Sequence, residues 1–304
     1  MQPHIQNHEI PPEQFGPLVE VAGANADFDI VHQYVNDYGY CLLRGILDRT
    51  AVLAARSEVF QRMADVDEIQ SPAEDGVATG RSSRRDQYPD VNAFWKDVSN
   101  GTAVRQVTHG DQLRKIITSI LLEPARAHDL IYLRPTPPGK STRMHYDYPF
   151  FAGQSLRIHT AWIPFGDIRI EHGPLVIVEG SNGFSDLIDP IRSHDYSADR
   201  SNAAVQKGAY DAINQTDPMT LIQQRNTRLL STEFRAGDLV VFNGFTMHGS
   251  LDNISPNGQV RLSCDVRFQP AADPADDERY FGTDPLGSNG GGYGDMRAAK
   301  PLTE

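Results

Sequence analysis

The rhythm of hydrophobic and polar positions changes near residue 125. Before that point apolar residues recur with helical spacing. Phe28, Val31, Tyr34 and Val35 share one face of a helix predicted over 27–38, which Gly39 ends. The apolar run at 40–43 reads as a buried strand. Asp48 or Thr50 caps a second helix whose inward stripe is Val52, Ala55, Val59, Phe60 and Met63. A third helix over 110–122 turns Leu113, Ile116, Ile117, Ile120 and Leu121 inward and stops at Pro124. Beyond it the period falls to two. Strands are predicted over 129–134, 143–150, 155–164, 174–179, 239–243 and 260–268, with Gly, Pro, Asn and Asp between many of them. Helices followed by many short strands predict a mainly β domain, a sandwich or closed barrel with helices packed on one side.

Four stretches break the pattern. Residues 1–24 read as a loose lead-in. Residues 70–92 lack periodicity and carry Arg81, Arg84 and Arg85, so they read as a long loop, either a solvated surface or part of a substrate pocket. Residues 184–228 read as a polar insertion with helical pieces near 200–214 and 217–225. The glycine-rich tail at 286–304 reads as lacking fixed structure, or as folding over a site when ligand is present. There is no internal repeat. The whole chain, 1–304, is expected to form one domain, with a β core at about 129–270 and helical support at about 25–125.

Composition narrows the class. The chain is 39% hydrophobic and 22% charged, which is globular rather than disordered. A formal net charge of -12 argues against nonspecific nucleic-acid binding. No apolar run reaches the length of a membrane span, and the N-terminus lacks the basic start and apolar stretch of a signal peptide. Cys41 and Cys264 sit in apolar runs and read as small buried hydrophobes, which suits a reducing cytoplasm. Oligomeric state is not legible.

Two His-x-Asp pairs occur. His109 and Asp111 straddle the start of a helix, where side chains two apart diverge and an acid favours the helix dipole, so both are expected to be structural. His145 and Asp147 lie in an aromatic, strand-like setting, where residues two apart point the same way. His248 follows a predicted strand about a hundred residues later. Either histidine alone would be read as a core or loop residue. Together with Asp147 they make a two-histidine, one-carboxylate face, which holds Fe(II) and leaves positions open for oxygen and a co-substrate. A closed zinc site would use four ligands, often cysteines.

The strand predicted over 260–268 alternates cleanly. Arg261, Ser263, Asp265 and Arg267 occupy one face and apolar residues the other. That period alone fits a half-buried strand with its polar side in water. The functional alternative is a clamp: Arg261 and Ser263 present a guanidinium fork and a hydroxyl to the distal carboxylate of a 2-oxo acid, with Ser250 close by.

From Tyr132 to Phe268 the chain resembles the phytanoyl-CoA dioxygenase family of Fe(II)/2-oxoglutarate oxygenases. The resemblance rests on His145-Tyr146-Asp147, Ala161-Trp162-Ile163, the run from His172 to Ser181, His248-Gly249-Ser250, Asn253 and Arg261. The stretch from Asp37 to Gly45 is similar to the family's N-terminal strand. It departs from the pattern at the Glu179–Asn182 turn and in a His248-to-Arg261 spacing about two residues longer than usual in the family. The resemblance implies a double-stranded β-helix, or jelly roll. It implies iron on His145, Asp147 and His248, and 2-oxoglutarate held by Arg261, lined by Ser250 and Trp162 and touched by Tyr132 or Leu130. It further implies use of O2, with release of succinate and CO2, to hydroxylate, desaturate or rearrange a small metabolite of secondary metabolism. The presence of Asp147 argues against halogenation. The competing readings are a jelly-roll metalloenzyme that does not use 2-oxoglutarate and a non-catalytic binding module.

Overall fold

The structure, a computed structural model, describes residues 2–22, 26–151, 155–193 and 217–304. The helical layer follows the predicted stripes. Asp27 caps Phe28–Tyr38 through the Asp29 amide, and Gly39 closes it in the left-handed region at φ 82°. Asp48 caps Arg49–Ala64, which buries Val52, Ala55, Val59, Phe60 and Met63. Asp111–Leu121 buries Leu113, Ile116, Ile117 and Ile120. Asp111 is its first residue but makes no side-chain cap, because Gly110 occupies the cap position. Its carboxylate pairs with Arg114 instead.

Two sheets form the β core. The larger has six strands in the order Glu20–Ala22, Tyr40–Leu43, Leu239–Asn243, His159–Pro164, Arg261–Pro270 and Ala125–Thr136. The smaller has four, in the order His248–Ser250, Leu175–Val178, Leu229–Ser231 and Phe15–Pro17. Side-chain alternation sorts the larger sheet's residues into two layers. Cys41, Leu43, Ala161, Ile163, Leu239, Val241, Leu262, Cys264 and Val266 pack against the helices. Tyr40, Leu42, Trp162, Val240 and Phe242 face Leu175, Ile177 and Leu230 of the smaller sheet. With Leu262, Cys264 and Val266 turned toward the helices, Arg261, Ser263, Asp265 and Arg267 must point between the sheets. All four are buried, at 3% exposure or less. The reading of that face as a solvated surface is therefore corrected. Cys41 and Cys264 are free and lie on the helix side.

Other expectations change too. The lead-in is anchored: Phe15–Pro17 pairs in parallel with Leu229–Ser231, and Glu20–Ala22 pairs with Tyr40–Leu43. The strand predicted over 143–150 is not formed. Only His145 makes a bridge, to His248, and Tyr148–Phe151 is a helical turn. Pro149 has no amide to give a ladder, which favours that turn. The 70–92 segment carries short helical pieces at Ala73–Asp75 and Arg84–Gln87 and leads into helices Val91–Ser99 and Thr102–Thr108, which the sequence reading missed. Pro218–Arg225 matches the helical piece near 217–225, while the one near 200–214 lies outside the described residues. The glycine-rich tail is folded: Gly292–Asp295 and Arg297–Ala299 are 3-10 turns, and Tyr293, Met296, Ala298 and Ala299 are buried. No described helix is long and apolar enough to cross a membrane.

Candidate metal centre and co-substrate cleft

His145 and His248 face each other across paired backbone hydrogen bonds, His145 N to His248 O at 2.9 Å and the reverse at 3.0 Å. This sets their rings 4.3 Å apart. Asp147 follows at the bend where the chain leaves the bridge. One ligand atom from each of the three lies within 4.8 Å of the others, and all three residues are buried.

The outer contacts fix which atoms meet. His145 Nδ1 is 2.8 Å from the Arg143 carbonyl, and His248 Nδ1 is 3.0 Å from the Thr246 carbonyl. A carbonyl only accepts, so each Nδ1 carries the proton and each Nε2 keeps a lone pair. Those Nε2 atoms lie 3.5 and 3.8 Å from Asp147 Oδ1. The other oxygen, Oδ2, accepts from Thr160 at 2.6 Å. Arg267 Nη2 donates to both oxygens, at 3.0 and 2.9 Å. Burial alone raises the Asp147 pKa. The Arg267 guanidinium and then the imidazoles outweigh it and hold the carboxylate well below its ordinary value. Burial, with help from His145, pushes His248 down to about 3, so its imidazole is neutral. Two imidazole nitrogens and one carboxylate oxygen brought together in this way are the donor set that suits ferrous iron.

A narrow cleft runs from His145 and His248 to Arg261, with Thr142, Trp162, Leu175 and Ser250 on its walls. Arg261 Nε donates to the Gly173 carbonyl at 3.1 Å and Nη1 to Ser263 Oγ at 2.6 Å. Gly173 has φ 73°, and a Cβ there would sit 2.6 Å from the Leu251 carbonyl, so only glycine lets this backbone approach. Arg261 Nη2 has no hydrogen-bond partner among the described residues. Burial and the nearby Arg134 lower the Arg261 pKa to about 10, which still leaves it charged at neutral pH. A buried cation with an unused donor at the end of a cleft fits one carboxylate of 2-oxoglutarate.

The remaining predicted residues divide. Ser250 and Trp162 line the cleft, and Ser250 Oγ accepts the Thr142 amide at 2.8 Å. Ser263 reaches the site only through Arg261. Tyr132 lines a larger neighbouring cavity of about 750 Å3 and lies under the Arg267 guanidinium, 4.6 Å from its ring centre. Leu130 packs in the helix-side core, away from the cleft. His109 accepts from Arg105 and lies 3.0 Å from the His128 carbonyl, a structural position. The reading of Arg81, Arg84 and Arg85 as pocket cations is corrected. Arg84 is buried against Glu68, Arg85 pairs with Glu304, and Arg81 borders a separate surface hollow.

Four residues of the centre were not singled out from sequence: Arg267, Asp265, Arg134 and Thr160. Asp265 pairs with Arg134 and lies 3.4 Å from Arg267, so the cation on Asp147 is itself held by a second buried acid. The signal was present for two of them, since Asp265 and Arg267 share the alternating face of Arg261. Thr160 is the cross-strand neighbour of Arg267, a register the sequence does not display.

Two stacked sheets enclosing a His/Asp/His face and a cationic cleft define the jelly-roll class of Fe(II)/2-oxoglutarate oxygenases. The sequence profile of the phytanoyl-CoA dioxygenase (PhyH) family matches residues 35–261, and the chain belongs to that family. It is an Fe(II)- and 2-oxoglutarate-dependent oxygenase that uses O2. Over 266 residues it is 23% identical to 1-deoxypentalenic acid 11-beta-hydroxylase of Streptomyces arenae, covering 81% of this chain and 82% of that one. Its fold is similar to that of the non-heme alpha ketoglutarate dependent carbocyclase SnoK from nogalamycin biosynthesis, at TM-score 0.55 and 18% identity, covering 85% and 88% of the two chains. It is also similar to the epimerase SnoN in complex with Fe3+, alpha ketoglutarate and nogalamycin RO, at TM-score 0.51 and 16% identity, covering 81% and 84%.

Proposed function

We propose that the chain hydroxylates a C–H bond of a small natural-product intermediate, with His145, Asp147 and His248 as its iron ligands and Arg261 as its 2-oxoglutarate clamp. The observation that carries this reading is the meeting of three ligand atoms at one end of a cleft whose other end is a buried guanidinium with an unused donor. The hydroxylase relative supports oxygen insertion over desaturation or rearrangement, and a small metabolite over a macromolecule. Iron bound there would activate O2, and 2-oxoglutarate would supply two electrons, with one oxygen atom going to succinate, released with CO2, and the other to the substrate.

The chain's own residues do the positioning. The Arg143 and Thr246 carbonyls hold each imidazole with Nε2 toward the metal side. Thr160 and Arg267 hold Oδ2 of Asp147 and turn Oδ1 toward the imidazoles. Arg261 fixes the far end of the co-substrate, and Trp162 and Leu175 give the cleft apolar walls. A jelly-roll metalloenzyme that does not use 2-oxoglutarate would have no need for this cation, and a binding module would need no metal-side lone pairs. The helical layer, the two sheets and the tail act as one domain, and two buried free thiols suit the cytoplasm.

The test is iron-dependent succinate formation. Arg261→Ala weakens 2-oxoglutarate binding by about 2–5 kcal/mol, the range for truncating one partner of a buried charge pair. Asp147→Ala abolishes turnover. A wild-type KM for 2-oxoglutarate in the first variant, or undiminished turnover in the second, would contradict the assignment.

A further inference from the structure

The cavity of about 750 Å3 opens directly onto His145 and Asp147, and its charges are unevenly matched. Five cations and two acids line it. Arg134 and Arg267 are taken up by Asp265 and Asp147. Asp295, the other acid on the wall, accepts the Gly291 amide at 2.8 Å and keeps its negative charge. That leaves Lys140, Arg143 and Arg297, all exposed and none in an ion pair among the described residues. In a chain with 40 acids against 28 lysines and arginines, three such cations on a wall whose other unpaired charge is Asp295 still make a local reversal of sign. They come from two distant segments. Lys140 and Arg143 lie on the loop that leads into His145, and Arg297 lies on the C-terminal turn. The Arg143 carbonyl also holds His145 Nδ1, so this cation is tied to the ligand set. The same cavity also has apolar lining, including Phe150, Phe151 and Met296.

We infer that Lys140, Arg143 and Arg297 form a subsite for an anionic group of the prime substrate. The substrate is then an amphiphile: its acid group sits at the rim, and its apolar body lies along Phe150 and Phe151 toward His145 and Asp147. This deepens the oxygenase reading and rests on it. 2-Oxoglutarate is also an anion, but its proposed cation is Arg261, in a separate cleft that neither Arg143 nor Arg297 lines. Charged groups around an opening act on arriving ligands through their field, and a reversed sign reverses that effect.

The probe is 1-anilinonaphthalene-8-sulfonate, an apolar body with one anionic group. Its comparator is N-phenyl-1-naphthylamine, nearly the same skeleton without the charge. Both are titrated by fluorescence into the full chain loaded anaerobically with Fe(II) and 2-oxoglutarate. The charge-reversed variant R143E/R297E binds the sulfonate about tenfold or more weakly, and R143Q/R297Q falls between it and wild type. The uncharged probe separates the outcomes: its affinity tracks the apolar wall and does not follow the charge series. Equal sulfonate affinity across the series, or equal losses for both probes, overturns the proposal. So does a loss that falls on the KM for 2-oxoglutarate while sulfonate binding persists. Probe binding is read without turnover. Absence of iron-dependent succinate release from wild type would therefore sink the oxygenase reading alone and leave this result to stand by itself.

Discussion

Asp147 commits Oδ2 to Thr160 and shares Arg267 between both oxygens, which leaves Oδ1 as the atom facing the imidazoles. Arg267 is in turn held between the rings of Tyr132 and Phe151, at 4.6 and 4.3 Å, so its fork is pre-aimed. Replacing it by Met leaves a buried carboxylate with one neutral donor. Loss of a residue that orients a metal ligand lowers metal affinity by about 10–100-fold. Iron titration of Arg267→Met should show that loss, and Thr160→Val, which removes a neutral donor, a smaller one. Wild-type iron affinity in both variants would reduce this pair to packing. At this scale the candidate ligands were readable, because His-x-Asp and a later histidine form a pattern in the residues themselves, although the strand expected to align His145 with Asp147 is only a single bridge at His145. Arg267 was visible as one of four alternating polar positions. Its purpose was not, because a period of two says which residues share a face and not which face is inward.

The C-terminal segment shows how an element can be fixed by partners that the local sequence does not reveal. Residues between 287 and 298 form one wall of the large cavity, yet little in their composition predicts order. Their anchors come from the 68–92 stretch. Arg84, fully buried, pairs with Glu68 and donates to the carbonyls of Ala298 at 2.8 Å and Lys300 at 3.1 Å. Asn92 accepts the Gly294 amide at 2.9 Å. Both segments were read as loops for the same reason: each lacks a period of its own and gains its structure from the other. The missed helices Val91–Ser99 and Thr102–Thr108 belong to this assembly, and their shortness gave few turns in which to show a stripe. By contrast the helices Arg49–Ala64 and Asp111–Leu121 were legible because each repeats its buried face over three turns or more. Arg84→Met leaves Glu68 buried without its cation and should cost about 3–5 kcal/mol, read as a lower urea midpoint. Glu68→Gln with Arg84→Met removes both charges and should recover part of that loss. A double variant no more stable than the single would place the cost in lost packing or lost carbonyl contacts rather than in the stranded acid.

Across the whole molecule, the larger sheet serves two cores, one with the helices and one with the smaller sheet. Buried and half-buried histidines sit in that architecture as neutral groups. His128, on Ala125–Thr136, stacks on Tyr280 at 5.0 Å and meets Phe281 at 4.8 Å. Burial pushes its pKa down to about 3, against a small gain from Gln269. Burial and then Arg105 push His109 down to about 4. An unfolded histidine titrates near 6.5. As pH falls through that value the unfolded chain takes up protons that the folded chain refuses, so the unfolded state gains. The stabilisation is complete above about pH 6.5 and is lost progressively down to the folded values, at about 1.4 kcal/mol per pH unit for each such histidine. Two of them together remove several kcal/mol by pH 4.5, a large share of the roughly 5–15 kcal/mol that holds a typical domain. Carboxylates held below their ordinary values, Asp147 and Asp265 among them, act lower, near and below pH 4. Urea midpoints measured from pH 7.5 to 4.5 should therefore fall steadily. His128→Phe, which keeps an aromatic ring against Tyr280 and Phe281, should flatten that slope without changing the sheet. A midpoint independent of pH across this window would mean that His128 and His109 take up protons in the folded chain as readily as in the unfolded one.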